Sequence, residues 1–269
     1  MRKNKIINLI IFSLIFFLLI NCFPRKSAQI KVLVTTSLIE TIVANIGHER
    51  IEVISIIPSG MCPGHFDLKP HHVQLASSSQ ALFFHGWEKW INELKKSINN
   101  KNLKIVSLET EGNLMIPDNY LEAINKVTNV LCEIAPANSK YFQNNAHIYI
   151  KRIKTKVYEL KKNTKLIENI PVLCSQYQAE FLKWMGLKVV ESYGRPDELT
   201  IKQLIRLIKI GKQEGVKAVI DNLQSGEKAG EEVAREIGCK HLTLTNFPLN
   251  YSYLDTLDYN VNKLMEIVK

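Results

Sequence analysis

Short β-rich runs alternate with helical patterns along most of this chain, and the alternation breaks only once. Strand signals fall at 30–36, 51–57, 81–85 and 103–108, with helical patterns between them at 38–47, 70–78 and 87–97. Strands separated by helices of this length mean βαβ units and a parallel sheet. From residue 119 to 168 no strand signal appears. Leu121, Ile124, Val127 and Leu131 instead form one apolar stripe, and Tyr149, Ile150, Ile153, Val157 and Leu160 form a second. Pro136 separates the stripes, which predicts a helix near 118–134 and a longer one near 138–166. At 1.5 Å per residue the second would be on the order of 40 Å long, far more than one crossover needs. Strand signals resume at 171–175, 188–192, 217–221 and 241–245, with helices at 178–186, 200–214, 227–238 and 254–268.

The fold class that follows is α/β: two lobes, each with a mainly parallel sheet flanked by helices, bridged by a long helix, with a cleft between them. The expected division is a signal segment at 1–21, a lipid-anchored linker at 22–29, and an N-terminal lobe at 30–117. A helical segment at 118–166 and a C-terminal lobe at 167–269 complete it. A 46% hydrophobic content supplies ample core for this size.

The N-terminus reads as an address. Arg2, Lys3 and Lys5 precede an almost wholly apolar run from Ile6 to Ile20, a secretory pattern too short to span a bilayer comfortably. Leu19-Ile20-Asn21-Cys22 resembles the lipobox of bacterial lipoproteins, in which the cysteine is lipidated. Asn21 stands where a small residue usually precedes that cysteine. The other reading is an uncleaved short anchor; both place the rest of the chain outside the cytoplasmic membrane. The formal net charge is +9, and the lysines outside the N-terminus spread over helix faces such as Lys151-Arg152, Lys154 and Lys161-Lys162. No basic run reads as interleaved with aromatics and no nucleic-acid motif appears, so nucleic acid is not expected as a partner and a solvated face explains these lysines.

Ligands of open α/β sheets bind beyond the carboxyl ends of the strands. Those ends include the loop 58–69, His85, Cys174-Ser175-Gln176, the segment 191–198, Asp221-Asn222 and Asn246-Phe247-Pro248. In the first loop Cys62 and His65 stand three apart, on a backbone bent by Pro63 and Gly64, and both can face one ion. Thiolate with imidazole suits zinc or another borderline metal. The alternative is a buried Cys62 beside a backbone-bonded His65. His85 reads as a ligand, a supporting group, or a turn residue. Cys174 could face Cys62 across the cleft, as a second thiolate ligand, a disulfide partner that would make the site redox-sensitive, or a buried thiol. Trp87, Trp90 and Trp184 read as core, and His241 as chemically idle. None of the H-E-x-x-H, G-x-S-x-G, P-loop or G-x-G-x-x-G motifs is present, which argues against an enzyme. A secreted zinc hydrolase on Cys62 and His65, with Glu180 or Glu191 as base, is the rival, and a surface adhesin without transport is a third reading.

The stretches KVLVTTSLIETIVANIGHERIEVISIIPSG (31–60), GHFDLKPHHVQLASSSQALFFHGWEKWINEL (64–94) and PANSKYFQNNAHIYIKRI (136–153) carry a family likeness. They resemble the metal-binding solute-binding lipoproteins of ABC-type zinc and manganese importers, and GVKAVIDNLQSGEKAGEEVAREIG (215–238) is similar to that family's last strand–helix unit. The resemblance implies a monomer that captures zinc, manganese or another divalent ion between two lobes. It would deliver the ion to a membrane permease driven by a separate ATPase, with small lobe rocking about the bridging helix. His65 matches the family's first histidine ligand. Gly112 occupies the position of the second, the third falls among Ser175, Gln176, Tyr177 and Gln178, and the fourth, an aspartate, meets Asn246. With one of four ligands kept, two explanations compete. A rebuilt site could use Cys62, His65 and groups such as His85, Cys174 or Gln178; otherwise the cargo is another solute, such as a metal chelate, or there is none. The rebuilt site is the favoured reading.

Overall fold

The computed structural model describes residues 29–58, 61, 63, 66–248 and 252–269. The first sheet holds β1 (Ile30–Val34), β2 (Ile51–Ser55), β3 (Ala81–Phe84) and β4 (Lys104–Ser107) in the order β2-β1-β3-β4. The second holds β5 (Pro171–Ser175), β6 (Lys188–Tyr193), β7 (Ala218–Asn222) and β8 (Lys240–Leu244) in the order β6-β5-β7-β8. Every pairing in both sheets is parallel. The expected fold class is therefore the observed one. In both sheets the first strand sits inside, so the direction of winding reverses between β1 and β3 and between β5 and β7.

The helices are α1 (Ser37–Gly47), α2 (Pro70–Ser77), α3 (Ile91–Ser97), α4 (Pro117–Ile134), α5 (Ser139–Asn163), α6 (Ala179–Trp184), α7 (Ile201–Gln213), α8 (Lys228–Ile237) and α9 (Tyr253–Met265). Local chemistry sets their ends. Pro70 and Pro117 open α2 and α4 where a missing N–H costs nothing. Thr200 caps α7 by accepting the Gln203 N–H, while the Gln203 side chain accepts the Thr200 N–H at 2.8 Å. Gly238 ends α8 at φ +81, a conformation that favours glycine. One expected start moves: the pattern over 87–97 yields a helix only from Ile91. The preceding turn is held by the Glu88 side chain, which accepts the His85 and Gly86 N–H groups.

Each sheet is covered on both faces. Leu33 and Leu82 point to a core closed by α2 and α3, and Leu173 and Val219 to one closed by α7 and α8. The alternate residues Val32, Val34, Phe83, Val172, Cys174 and Ile220 face a single core that runs under α1, α4, α5 and α9 through both lobes. Its centre is a tyrosine cluster. Tyr120 of α4 stacks on Tyr253 of α9 at 3.7 Å and 5°, and exchanges hydrogen bonds with Thr41 (2.6 Å) and Tyr149 (3.0 Å). Tyr253 donates to the Met115 carbonyl at 3.1 Å. Burial of these phenols pushes all three up, Tyr149 to about 12, so they stay neutral donors and acceptors. Fully burying a large apolar side chain is worth roughly 1.5–3 kcal/mol, so this cluster ties the two lobes along α5. Among the described residues no helix is long and apolar enough to cross a membrane.

Candidate functional site

The reversal of strand order leaves a crevice at the carboxyl ends of β1 and β3 in one lobe and of β5 and β7 in the other. The two crevices face each other, and between them lies a cavity of about 550 Å³. Pro63, His85, Gly86, Trp87 and Asn113 contribute to its first-lobe side, and Tyr177, Glu180, Arg195, Asn222 and Asn246 to its second-lobe side.

His85 follows β3 and Thr36 follows β1, and the His85 Nε2–Thr36 Oγ1 hydrogen bond of 2.8 Å spans the reversal point. The imidazole is buried and stacks on Trp87 with centroids 5.0 Å apart. Burial pulls its pKa down to about 4 against the opposing pull of Glu88, so His85 is neutral near pH 7. Neutral imidazole is the form that binds a metal. Behind it the buried Glu88 carboxylate accepts from Thr35 Oγ1 (2.6 Å), the His85 N–H (2.9 Å) and the Gly86 N–H (2.8 Å). Gly86 sits at φ +114, and a Cβ there would meet Ser107 Oγ at 3.0 Å, so the turn needs glycine.

The second-lobe wall is built from amides. The Tyr177 carbonyl accepts from Asn246 Nδ2 at 2.8 Å and, across the cleft, from Asn113 Nδ2 at 3.3 Å. Asn246 Oδ1 is buried with no hydrogen-bond partner among the described residues. Arg195 lines the cavity with its Nε donating to the Tyr177 hydroxyl at 3.3 Å. Directly behind Asn222 lies a buried polar relay: Tyr193 donates to Asp221 Oδ1 at 2.8 Å, and His241 Nε2 meets Asp221 Oδ2 at 2.8 Å. That hydrogen bond raises the pKa of His241 above its ordinary value.

The sequence-derived candidates separate cleanly. His85 is at the cavity. Cys62, His65 and the lipidation site Cys22 lie outside the described residues, although Pro63, between the two loop candidates, lines the cavity. Cys174 corrects the expectation of a cleft-facing thiol. It points from β5 into the shared core, fully buried, and burial pushes the thiol up to about 12, far from the thiolate that binds metal. Gln178 is likewise buried and off the cavity; its Nε2 donates to Asn222 Oδ1 at 3.0 Å, so it supports a wall residue. Trp87 corrects the expectation of a core tryptophan, being 51% exposed at the cavity. His241 corrects the idle histidine, since it is tied to a buried carboxylate. Glu180 and Glu191, the rival bases, are paired with Lys183 and Arg206. Among the described residues no three His, Cys, Asp or Glu side chains converge to hold a metal. Sequence reading named Tyr177 only as one of four positions for the third ligand and did not single out Asn113 or Arg195, although Arg195 lay in the segment 191–198 marked as a strand end.

Comparisons with known proteins bear on the fold and the family. The family model for ZnuA, zinc-uptake complex component A periplasmic, matches residues 32–267. A metal ABC transporter substrate-binding lipoprotein of Lactococcus lactis is 25% identical, over 82% of this chain and 82% of its own. The iron ABC transporter substrate-binding lipoprotein MtsA of Streptococcus pyogenes is 24% identical, over 93% of this chain and 94% of its own. Among solved structures, FpvC of P. aeruginosa in complex with Ni2+ superimposes with a TM-score of 0.80 at 17% identity, covering 90% of this chain and 97% of that one. The chain belongs to the ZnuA family, the substrate-binding components of metal ABC transporters, and is not an enzyme.

Proposed function

We propose that this protein captures zinc in the interlobe cavity and hands it to an ABC permease powered by a separate ATPase. In this reading it acts as a monomer tethered outside the cytoplasmic membrane by lipid on Cys22. The observation that carries it is the convergence of three features on one cavity at two facing strand-order reversals. These are Pro63 of the loop that bears Cys62 and His65, the neutral His85 imidazole, and the unpartnered Asn246 Oδ1. His65, Cys62 and His85 supply nitrogen and sulfur donors, and Asn246 supplies a carbonyl oxygen where the family places an aspartate. Nitrogen and sulfur donors select zinc over harder ions such as manganese. The tyrosine cluster that joins the lobes favours small rocking over wide closure.

Both sheets and their covering helices lie between Gln29 and Lys269, so the chain from Phe23 carries the whole described fold. That chain, purified reduced and titrated with zinc by calorimetry, is expected to bind one ion. His65→Ala should weaken binding on the order of 100-fold, in line with losing one of few good ligands. Undiminished zinc binding by His65→Ala, or no binding of zinc, manganese or iron by the parent, overturns the reading.

A further inference from the structure

The bridging helix α5 carries the largest excess of basic over acidic side chains of any described helix. From residue 139 to 167 there are eight Lys or Arg residues and a single acid, Glu159. At 100° per residue, Lys140, Lys151, Lys154, Lys161 and Lys162 share one face, and Lys165 is exposed in the turn that follows. Large apolar side chains interleave with them: Ile148 is 50% exposed, Tyr158 64% and Leu166 70%. Lys162 lies over the Tyr158 ring at 4.3 Å. An open groove of about 340 Å³ flanks the stripe, lined by Lys151, Arg152, Lys156, Glu159 and Leu254. The inner face, with Phe142, Ala146, Tyr149 and Ile153, is spent on the core. α7 also exposes Ile201 and Ile205 among basic residues, but α5 adds an exposed aromatic ring and lies beside the point where the chain enters the fold. Basic residues mixed with aromatic and aliphatic ones are the pattern of a surface that meets anionic lipid.

The position of the stripe fits the same partner. Gln29, where the N-terminal segment joins the fold, donates to the Glu49 carbonyl at 3.1 Å. The Glu49 carboxylate accepts from Tyr141, in the first turn of α5, at 3.0 Å. Arg50 donates to Asn138 at 2.6 Å and covers the Tyr141 ring at 3.8 Å. The chain thus enters the fold beside the start of the basic helix. The seven residues from Phe23 to Gln29 reach at most about 25 Å, so a lipid on Cys22 keeps this helix beside the bilayer. No residue of α5 lines the interlobe cavity, which stays open when the stripe is covered.

We infer that the exposed face of α5 docks on an anionic phospholipid surface, laying the body flat on the membrane that holds its permease. This goes beyond the cargo reading and does not depend on which metal is carried. Confinement to the surface raises the effective concentration at a membrane partner without any new protein contact.

The test is sedimentation of the unlipidated chain from Phe23 with vesicles of phosphatidylcholine alone or with 30 mol% phosphatidylglycerol (about that fraction suffices for a negative surface). Omitting the lipid lets a failure of the Cys22 assignment be seen separately. The parent is expected to pellet with the anionic vesicles and to be released by salt. The triple variant Lys151→Glu, Lys154→Glu, Lys165→Glu should bind at least about tenfold more weakly, and the matching glutamines should fall between. Lys202→Glu, Lys209→Glu, Lys212→Glu on α7 makes the same charge change and should stay within about twofold of the parent. Urea midpoints and zinc affinity of each variant report folding. Equal loss in both triples, no preference of the parent for anionic vesicles, or tighter binding to duplex DNA than to the vesicles overturns the inference.

Discussion

Gly230 is the position at which two elementary rules give opposite signs. It lies at the third residue of α8, where alanine would favour the helix by about 1 kcal/mol. The structure reverses the sign. A Cβ on Gly230 would overlap Asp221 Oδ2 and come within 2.5 Å of the Tyr193 hydroxyl and 2.6 Å of Asp221 Cγ. Neither neighbour can step aside cheaply: Asp221 is 1% exposed, and it accepts from Tyr193 and His241 at 2.8 Å each. Either α8 lifts off the sheet, with an overpacking cost of about 1–3 kcal/mol, or the carboxylate turns and loses a charged hydrogen bond worth about 1.5–3 kcal/mol. If both occur in part, Gly230→Ala should destabilise by about 2–4 kcal/mol after the helix gain is subtracted. Equilibrium urea unfolding followed by far-UV dichroism, with an unchanged slope, reads this as a drop in midpoint. The cost should shrink when Asp221→Ala is already present, because the overlapped oxygen is gone. A midpoint that rises, or a cost that persists undiminished in the Asp221→Ala background, would refute the reasoning.

Two further outcomes follow from the same kind of contact. The pKa of His241 is raised in the fold by its hydrogen bond to Asp221, above an ordinary value of 6.5. Its stabilisation is therefore fully present below that unfolded value and is lost as pH rises through the folded value. The parent's urea midpoint should decline on the alkaline side of pH 6.5, and His241→Gln should remove that decline; an identical decline in the variant assigns the pH dependence elsewhere. Glu88→Gln places an amide where three donors converge, so about 2–4 kcal/mol of stability should go with the lost charged acceptor. Because that turn carries His85, zinc affinity should fall as well, and calorimetry showing the parent's affinity would detach His85 from the site.

Much of the architecture was legible because it rests on periodicity. The run Pro171–Ser175 reads as a strand to the residue, and the two stripes separated by Pro136 give α4 and α5. The site was legible as a set of strand ends, and less so side chain by side chain. Cys174 lies one residue from such an end, but a parallel strand covered on both faces reads as a near-continuous apolar run instead of an alternation. Alternation therefore could not show that 172 and 174 face the core. Trp87 misleads for the converse reason: composition favours burying tryptophan, while its place beyond β3 sets it at a cavity. The Asp221–His241 pair depends on β7 and β8 being neighbours in register, which no local pattern encodes. Gly230 within an otherwise good helix was the one local sign of a close approach behind that strand.

The two lobes repeat an electrostatic device behind their cavity walls. Each buries one carboxylate near its strand-order reversal, Glu88 three residues past His85 and Asp221 one residue before Asn222. A buried carboxylate costs several kcal/mol in lost hydration unless donors surround it, and here three donors hold Glu88 and two hold Asp221. Donors in fixed positions pin the ends of the strands, which fixes the side chains that face the cavity. The carboxylates also act through a medium of low dielectric, so their field reaches the cavity with less screening than a surface charge would. This reconciles two facts that pull apart on their own. The second-lobe wall presents amides, Arg195 and a Glu180 paired with Lys183, with Asn246 where the resemblance implies an aspartate, yet the chain belongs to a family that carries cations. On the proposed reading, a carboxylate set behind the wall lets that lobe attract a cation without coordinating it tightly. In that reading the strongest donors lie on the first lobe, and a small rocking motion that withdraws Asn246 would loosen the cargo for transfer.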